Sequence, residues 1–147
     1  MPADTQLTVK QAQQIAKLQT QFNQGLDAHW PIAPKLARDD FAAVIVELGE
    51  RYEHLGYKWW KKQTPDMEQV RLEVVDIWHF GLSALFEPDT DFDALAAQIA
   101  DDFAIGAPDE SNDQSASQRI HAATEALAEH ALAARRFSVP LFHTLMQ

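Results

Sequence analysis

Hydrophobic positions recur along this chain at spacings of three and four, the period of an amphipathic helix, and no strand-like alternation appears. In residues 8–26, Ile15, Leu18, Phe22 and Leu26 form one apolar stripe, and Gly25, Pro31 and Pro34 end the segment. Asp39 and Asp40 can cap a second helix carrying Phe41, Val44, Ile45, Leu48, Tyr52 and Leu55, with Gly56 where a C-cap glycine belongs. Thr64, Pro65 and Asp66 supply a cap residue, a first-turn proline and a first-turn acid for a third helix, which runs to about Phe86 and stops before Pro88. A fourth covers about residues 91–105, with Phe92, Leu95, Ile99 and Phe103 inward and Gly106 closing it. The polar stretch 107–115 reads as a mobile loop. A fifth helix covers roughly residues 116–135, aligning Ile120, Leu127 and Ala131, and a short turn begins near Pro140. The predicted fold class is all-α: a bundle of about five helices around a central antiparallel pair. It is read as one domain over residues 1–147, with core motifs in 15–86 and accessory helices in 88–147.

Composition narrows the function classes. Hydrophobic residues make up 46% and charged residues 23%, the balance of an ordinary globular domain. Twelve Lys+Arg against 22 Asp+Glu leave a net charge of −10, which repels a nucleic-acid backbone and an anionic membrane face alike. Neither is expected as a partner. The absence of cysteine removes disulfides, thiolate nucleophiles and Cys-based metal sites, and fits a reducing compartment. The N-terminal MPADTQLTVK has no apolar signal core, and no run of about 18 apolar residues occurs. A cytoplasmic location is therefore expected.

The second and third helices carry acids where acids are expensive. FAAVIVELG, residues 41–49, is apolar around its whole circumference, so that helix should be buried on nearly every side, yet it contains Glu47. VVDIWHFGLSALF, residues 74–86, contains Asp76, with His79 and Ser83 on its polar stripe. Each acid has a partner three residues away on the same face: Glu47 with Glu50, and Glu73 with Asp76. In an antiparallel hairpin the two pairs share one register, because Glu47 faces Asp76 whenever Glu50 faces Glu73. Two carboxylates about 4 Å apart repel by roughly 4 kcal/mol at an effective dielectric near 20. Four of them call for protons or cations, and an all-oxygen donor set suits Mg²⁺ or Mn²⁺. The competing reading has these acids solvated or paired with Arg51, Lys58 and Arg71. A di-iron site has only Asp76-x-x-His79 in its favour.

The connector GYKWWKK, residues 56–62, concentrates lysine and tryptophan beside the acids. Ammonium groups can meet phosphates, and indole faces can stack on a base. In the first helix, Gln19 and Asn23 place two amides one turn apart, a pattern able to read a base edge. With LQTQFN at 18–23, ELGE at 47–50, GYKWWKK at 56–62 and EVVDIWHF at 73–80, the sequence resembles the dimeric, all-α dUTPases of the MazG-like pyrophosphohydrolase superfamily.

That resemblance implies Mg²⁺ ligands at Glu47, Glu50, Glu73 and Asp76. It implies uracil contacts from Gln19, Asn23 and Trp59 or Trp60, a deoxyribose pocket lined by His79 and Phe80, and phosphate contacts from Lys58 and Lys61. It implies a homodimer hydrolysing dUTP, and often dUDP, to dUMP, with Glu50 as base toward the attacking water. Relatives carry a later segment rich in Lys, Arg, Tyr and Asn that closes over the nucleotide. Here no Lys follows Lys62, no Tyr follows Tyr57, and Arg119, Arg135 and Arg136 are the basic residues after Arg71. Uracil selectivity is therefore left open. So are a broader house-cleaning nucleotide pyrophosphatase and a non-catalytic nucleotide- or metal-binding helical module.

Overall fold

The computed structural model describes residues 6–32, 38–105 and 115–146, and those residues form six helices and no strand. Pro34, Gly106 and the polar stretch 107–114 lie outside the described residues. The helices are α1 (Val9–Leu26), α2 (Asp40–Leu55), α3 (Met67–Ala84), α4 (Phe92–Ile105), α5 (Ala116–Ala134) and α6 (Val139–Met146). Local chemistry sets most of their ends. Thr8 and Gln11 form a capping box at α1, Ser115 and Gln118 form another at α5, and the Asp39 carboxylate accepts the Ala42 N–H at α2. Gly56 ends α2 with φ 72°, a left-handed conformation that glycine adopts without steric penalty.

Four expectations change. The cap of α3 is Asp66 rather than Thr64, because its carboxylate accepts the Gln69 N–H, so the helix starts at Met67. The turn expected near Pro140 is a helix, α6, held by the burial of Val139, Phe142, His143 and Leu145. In α1 the buried residues are Ala12, Ala16, Gln19 and Asn23, while Leu18, Phe22 and Leu26 of the apolar stripe are exposed. Small side chains let α1 approach its main neighbour α4 closely, which turns the larger side chains outward. Likewise α2 is not enclosed on every side: Val46 is exposed.

α2 and α3 make the most extensive pairing, and α1 and α4, α5 and α6 complete the bundle around it. Val44 and Leu48 of α2 and Ile77 and Leu82 of α3 enter one core with Ile99, Phe103, Leu127 and Phe142. Trp78 stacks on Phe142 with ring centroids 4.7 Å apart, joining α3 to α6. Each fully buried aliphatic side chain here contributes roughly 1.5–3 kcal/mol.

Gly81 of α3 lies under the Phe137 ring, and a Cβ at that position would meet the ring carbons at 2.4 Å. Gly81→Ala should therefore destabilise the protein by about 1–3 kcal/mol through overpacking, although alanine is the better helix former. Gly25→Ala, where a Cβ meets nothing within 4 Å, should be neutral or slightly stabilising. Urea denaturation of both variants checks the pair, and equal effects would disprove the packing account.

Candidate functional site

The antiparallel pairing of α2 and α3 brings acids together across the helix interface. One carboxylate oxygen from each of Glu47, Glu73 and Asp76 lies within 4.8 Å of the others. Glu73 is only 5% exposed, Glu47 is half-buried, and Asp76 is exposed at the rim. Glu50, one turn beyond Glu47, is exposed and stands outside that group, although its charge acts on Glu47.

Electrostatics single out Glu47. Its pKa is pushed from an ordinary 4.5 up to about 8, first by burial, then by hydrogen bonding with Glu73 and by the charges of Glu50, Glu73 and Asp76. Its Oε2 is buried and finds no hydrogen-bond donor. The cations weighed as neutralising partners are engaged elsewhere or stay in solvent. Arg51 is buried against Thr124 of α5, Lys58 pairs with Glu53 at 2.9 Å, and Arg71 is exposed. One group that does reach the acids went unnoticed in sequence: His54 Nε2 stands 3.2 Å from Glu73 Oε1. Its only signal was position, since Glu47, Glu50 and His54 at i, i+3 and i+7 share a helix face. Converging oxygens, one of them orphaned, with no Lys or Arg among the described residues to offset them, fit a hard divalent cation.

The two amides of α1 lie in a buried polar knot. Gln19 Nε2 donates to Asn23 Oδ1 at 3.2 Å and to Ser83 Oγ at 3.3 Å, and Asn23 Nδ2 donates to Ser83 Oγ at 2.9 Å. Ser83 Oγ donates to the His79 carbonyl at 2.8 Å, and Gln19 Oε1 lies 2.6 Å from His79 Nδ1. Ser83 is thus the linking residue, a role that its place on the polar stripe only hinted at. Beside the knot runs a groove of about 380 Å³ walled by Ile15, Leu18, Phe22, Trp78 and Leu82, with Gln19 and His79 as its polar lining. Phe80 is half-buried against the core rather than on that groove.

The connector presents its aromatics outward. Trp59 is 89% exposed and Trp60 59% exposed, in a T-shaped pair with centroids 5.5 Å apart, and Tyr57 stands edge-on to Trp60. Packing as core is therefore not what these tryptophans do. Gln63 Oε1 accepts the Lys58 N–H at 2.8 Å and fixes the turn, while the Lys58 ammonium is held by Glu53. Lys61 and Lys62 are exposed.

The model of the dUTPase family matches residues 11–139, nearly the whole described bundle. The chain belongs to the all-α dUTPase family. Neither a curated protein nor a solved structure gives a significant match. Family membership makes the chain a nucleotide pyrophosphatase-type hydrolase, and the matched span includes the acidic cluster, the amide knot and the tryptophan connector. No helix among the described residues is long and apolar enough to cross a membrane.

The raised Glu47 pKa has a defined consequence for the metal-free dUTPase-family chain. Between pH 4.5 and about 8 the folded state holds a proton at Glu47 that the unfolded state lacks. The stability contributed by this group is complete below 4.5 and is lost as pH rises through 8. In EDTA, the melting temperature of the wild type should fall relative to that of Glu47→Gln as pH is raised from about 5 to 9. Parallel curves for the two proteins would contradict the assignment.

Proposed function

We propose that this chain hydrolyses dUTP, and dUDP, to dUMP in a reaction dependent on Mg²⁺, with Mn²⁺ able to replace it. Convergence of Glu47, Glu73 and Asp76, with no Lys or Arg among the described residues ion-paired to them, carries the reading. These three with Glu50 would hold the ion. When bound, it supplies the positive charge that lets an acidic protein accept a polyphosphate, and it acidifies a water.

The remaining work falls to the chain's own groups. Glu50, exposed beside the cluster, accepts the proton of the attacking water. Trp59 and Trp60 offer faces for the base, the Gln19–Asn23 knot with His79 meets its polar edge, and Phe80 with His79 bounds the sugar. Lys61 approaches the phosphates directly, and Lys58 joins it by exchanging Glu53 for a phosphate oxygen. The exposed apolar side chains Leu18, Phe22 and Leu26 of α1, with Leu72 and Val75 of α3, support a homodimer. We read the chain as one domain acting in the cytoplasm.

The deciding experiment incubates the protein with dUTP or dUDP with and without Mg²⁺. We expect dUMP with pyrophosphate, or dUMP with phosphate, only when the ion is present. Equal rates on dCTP and dTTP would shift the reading to a broad-range pyrophosphatase, and binding without turnover would shift it to a non-catalytic module. Glu50→Gln should lower kcat by about 10²–10⁴ with nucleotide binding retained, the signature of a lost base. An unchanged kcat would remove Glu50 from that role. Light scattering at micromolar concentration should give a dimer mass, and mutating Phe22 and Leu26 to Glu should yield the monomer.

A further inference from the structure

His54 touches the acidic cluster without belonging to the group of oxygens that would surround an ion. Its Nε2 stands 3.2 Å from Glu73 Oε1, whereas the mutually close donor atoms come from Glu47, Glu73 and Asp76. Glu73, at 5% exposure, therefore meets both Glu47 and His54.

The position from which the ring projects is rigid. His54 occupies the last turn of α2, and its carbonyl accepts the N–H of Asp66, the cap residue of α3, at 2.8 Å. The same residue thus ties the two helices through its backbone and engages Glu73 through its side chain. A carboxylate that accepts from a fixed donor loses its freedom to rotate, which holds its oxygens in place for the cluster. Imidazole suits that task because it can donate a single N–H without the obligatory charge of Lys or Arg, which would compete with a cation for Glu73.

We infer that His54 is a positioning residue for the divalent-cation site, holding Glu73 in the orientation in which it joins Glu47 and Asp76 around the ion. The inference rests on the metal reading proposed above and adds a residue outside the four carboxylates.

Calorimetric titration of the purified chain with Mg²⁺ and with Mn²⁺ tests it, on wild type, His54→Ala and His54→Gln, alongside melting curves of the metal-free proteins. His54→Ala should weaken both cations by a similar factor of about 10–100. His54→Gln, whose amide nitrogen reaches about as far as imidazole Nε2 and also donates, should recover most of the affinity. The metal-free melting temperature should fall modestly in His54→Ala, which leaves Glu73 without its donor, and stay near the wild type in His54→Gln. Unchanged affinity in His54→Ala overturns the inference, whether or not its metal-free melting temperature falls. Selective loss of Mn²⁺ without recovery in His54→Gln also overturns it, since that marks a nitrogen ligand. A wild type that binds neither cation overturns the metal site itself and the role of His54 with it. The wild-type titration therefore separates failure of the broader reading from failure of this one.

Discussion

Like charges forced together across the α2–α3 interface set the terms for the rest of this molecule. Glu73 is buried, oxygens of Glu47 and Asp76 lie within 4.8 Å of one of its own, and no Lys or Arg among the described residues is ion-paired with them. The apolar neighbours keep the arrangement from springing apart. Val44 and Leu48 on α2, with Val70 and Ile77 on α3, are buried along the same helix pair. Their burial, at roughly 1.5–3 kcal/mol per side chain, exceeds the few kcal/mol of repulsion that a proton on Glu47 leaves behind. Burial and the neighbouring carboxylates raise the Glu47 pKa to about 8, so in the metal-free protein a proton on Glu47 relieves part of the repulsion.

The connector follows the same logic of held but unsatisfied groups. Two exposed tryptophans are costly in water and would collapse onto the bundle if the loop were free. The loop is held instead by the Gly56 cap, the Gln63 bond to the Lys58 backbone and the Asp66 bond to the His54 carbonyl. Aromatic faces held in solvent by a hydrogen-bonded loop would, on the proposed function, lower the ordering cost of binding a flat base. The net charge of −10 then works as a filter: a polyanion gains access only where cations, bound or covalent, invert the local field.

How much of this was legible in the sequence depends on range. Caps and breakers act within a few residues, so Asp39, Gly56 and the bounds of α2, α4 and α5 could be read directly. The acid register was legible because it needs only one antiparallel hairpin. Periodicity does not say which of two adjoining faces finds a partner. In α1 the larger side chains implied a Leu18–Phe22 core face, while the packed face is the one with Ala12 and Ala16, where backbones approach. Arg51 resisted prediction for a similar reason: its Thr124 partner is on α5, far along the chain. His54 was hidden because a lone histidine at a helix end carries no pattern, and only the fold shows that Glu73 is within its reach.

The buried knot shows what the unconventional face of α1 achieves. Burying Gln19 and Asn23 would cost several kcal/mol if their amides were unpaired. Ser83 resolves this by accepting from both and donating to the His79 carbonyl, which uses the full capacity of one hydroxyl. Gln19 spends both N–H groups inside the knot and places its oxygen against His79, so its own amide is fully held within the protein. The groove beside the knot takes its polar lining from Gln19 and from His79, whose Nδ1 the Gln19 oxygen meets, while Asn23, 1% exposed, braces Gln19 through its Oδ1. The His79 ring at that groove is thus oriented by an amide that is itself held by packing and hydrogen bonds. The α1–α3 contact sets that arrangement, since Gln19 and Asn23 come from α1 and His79 and Ser83 from α3.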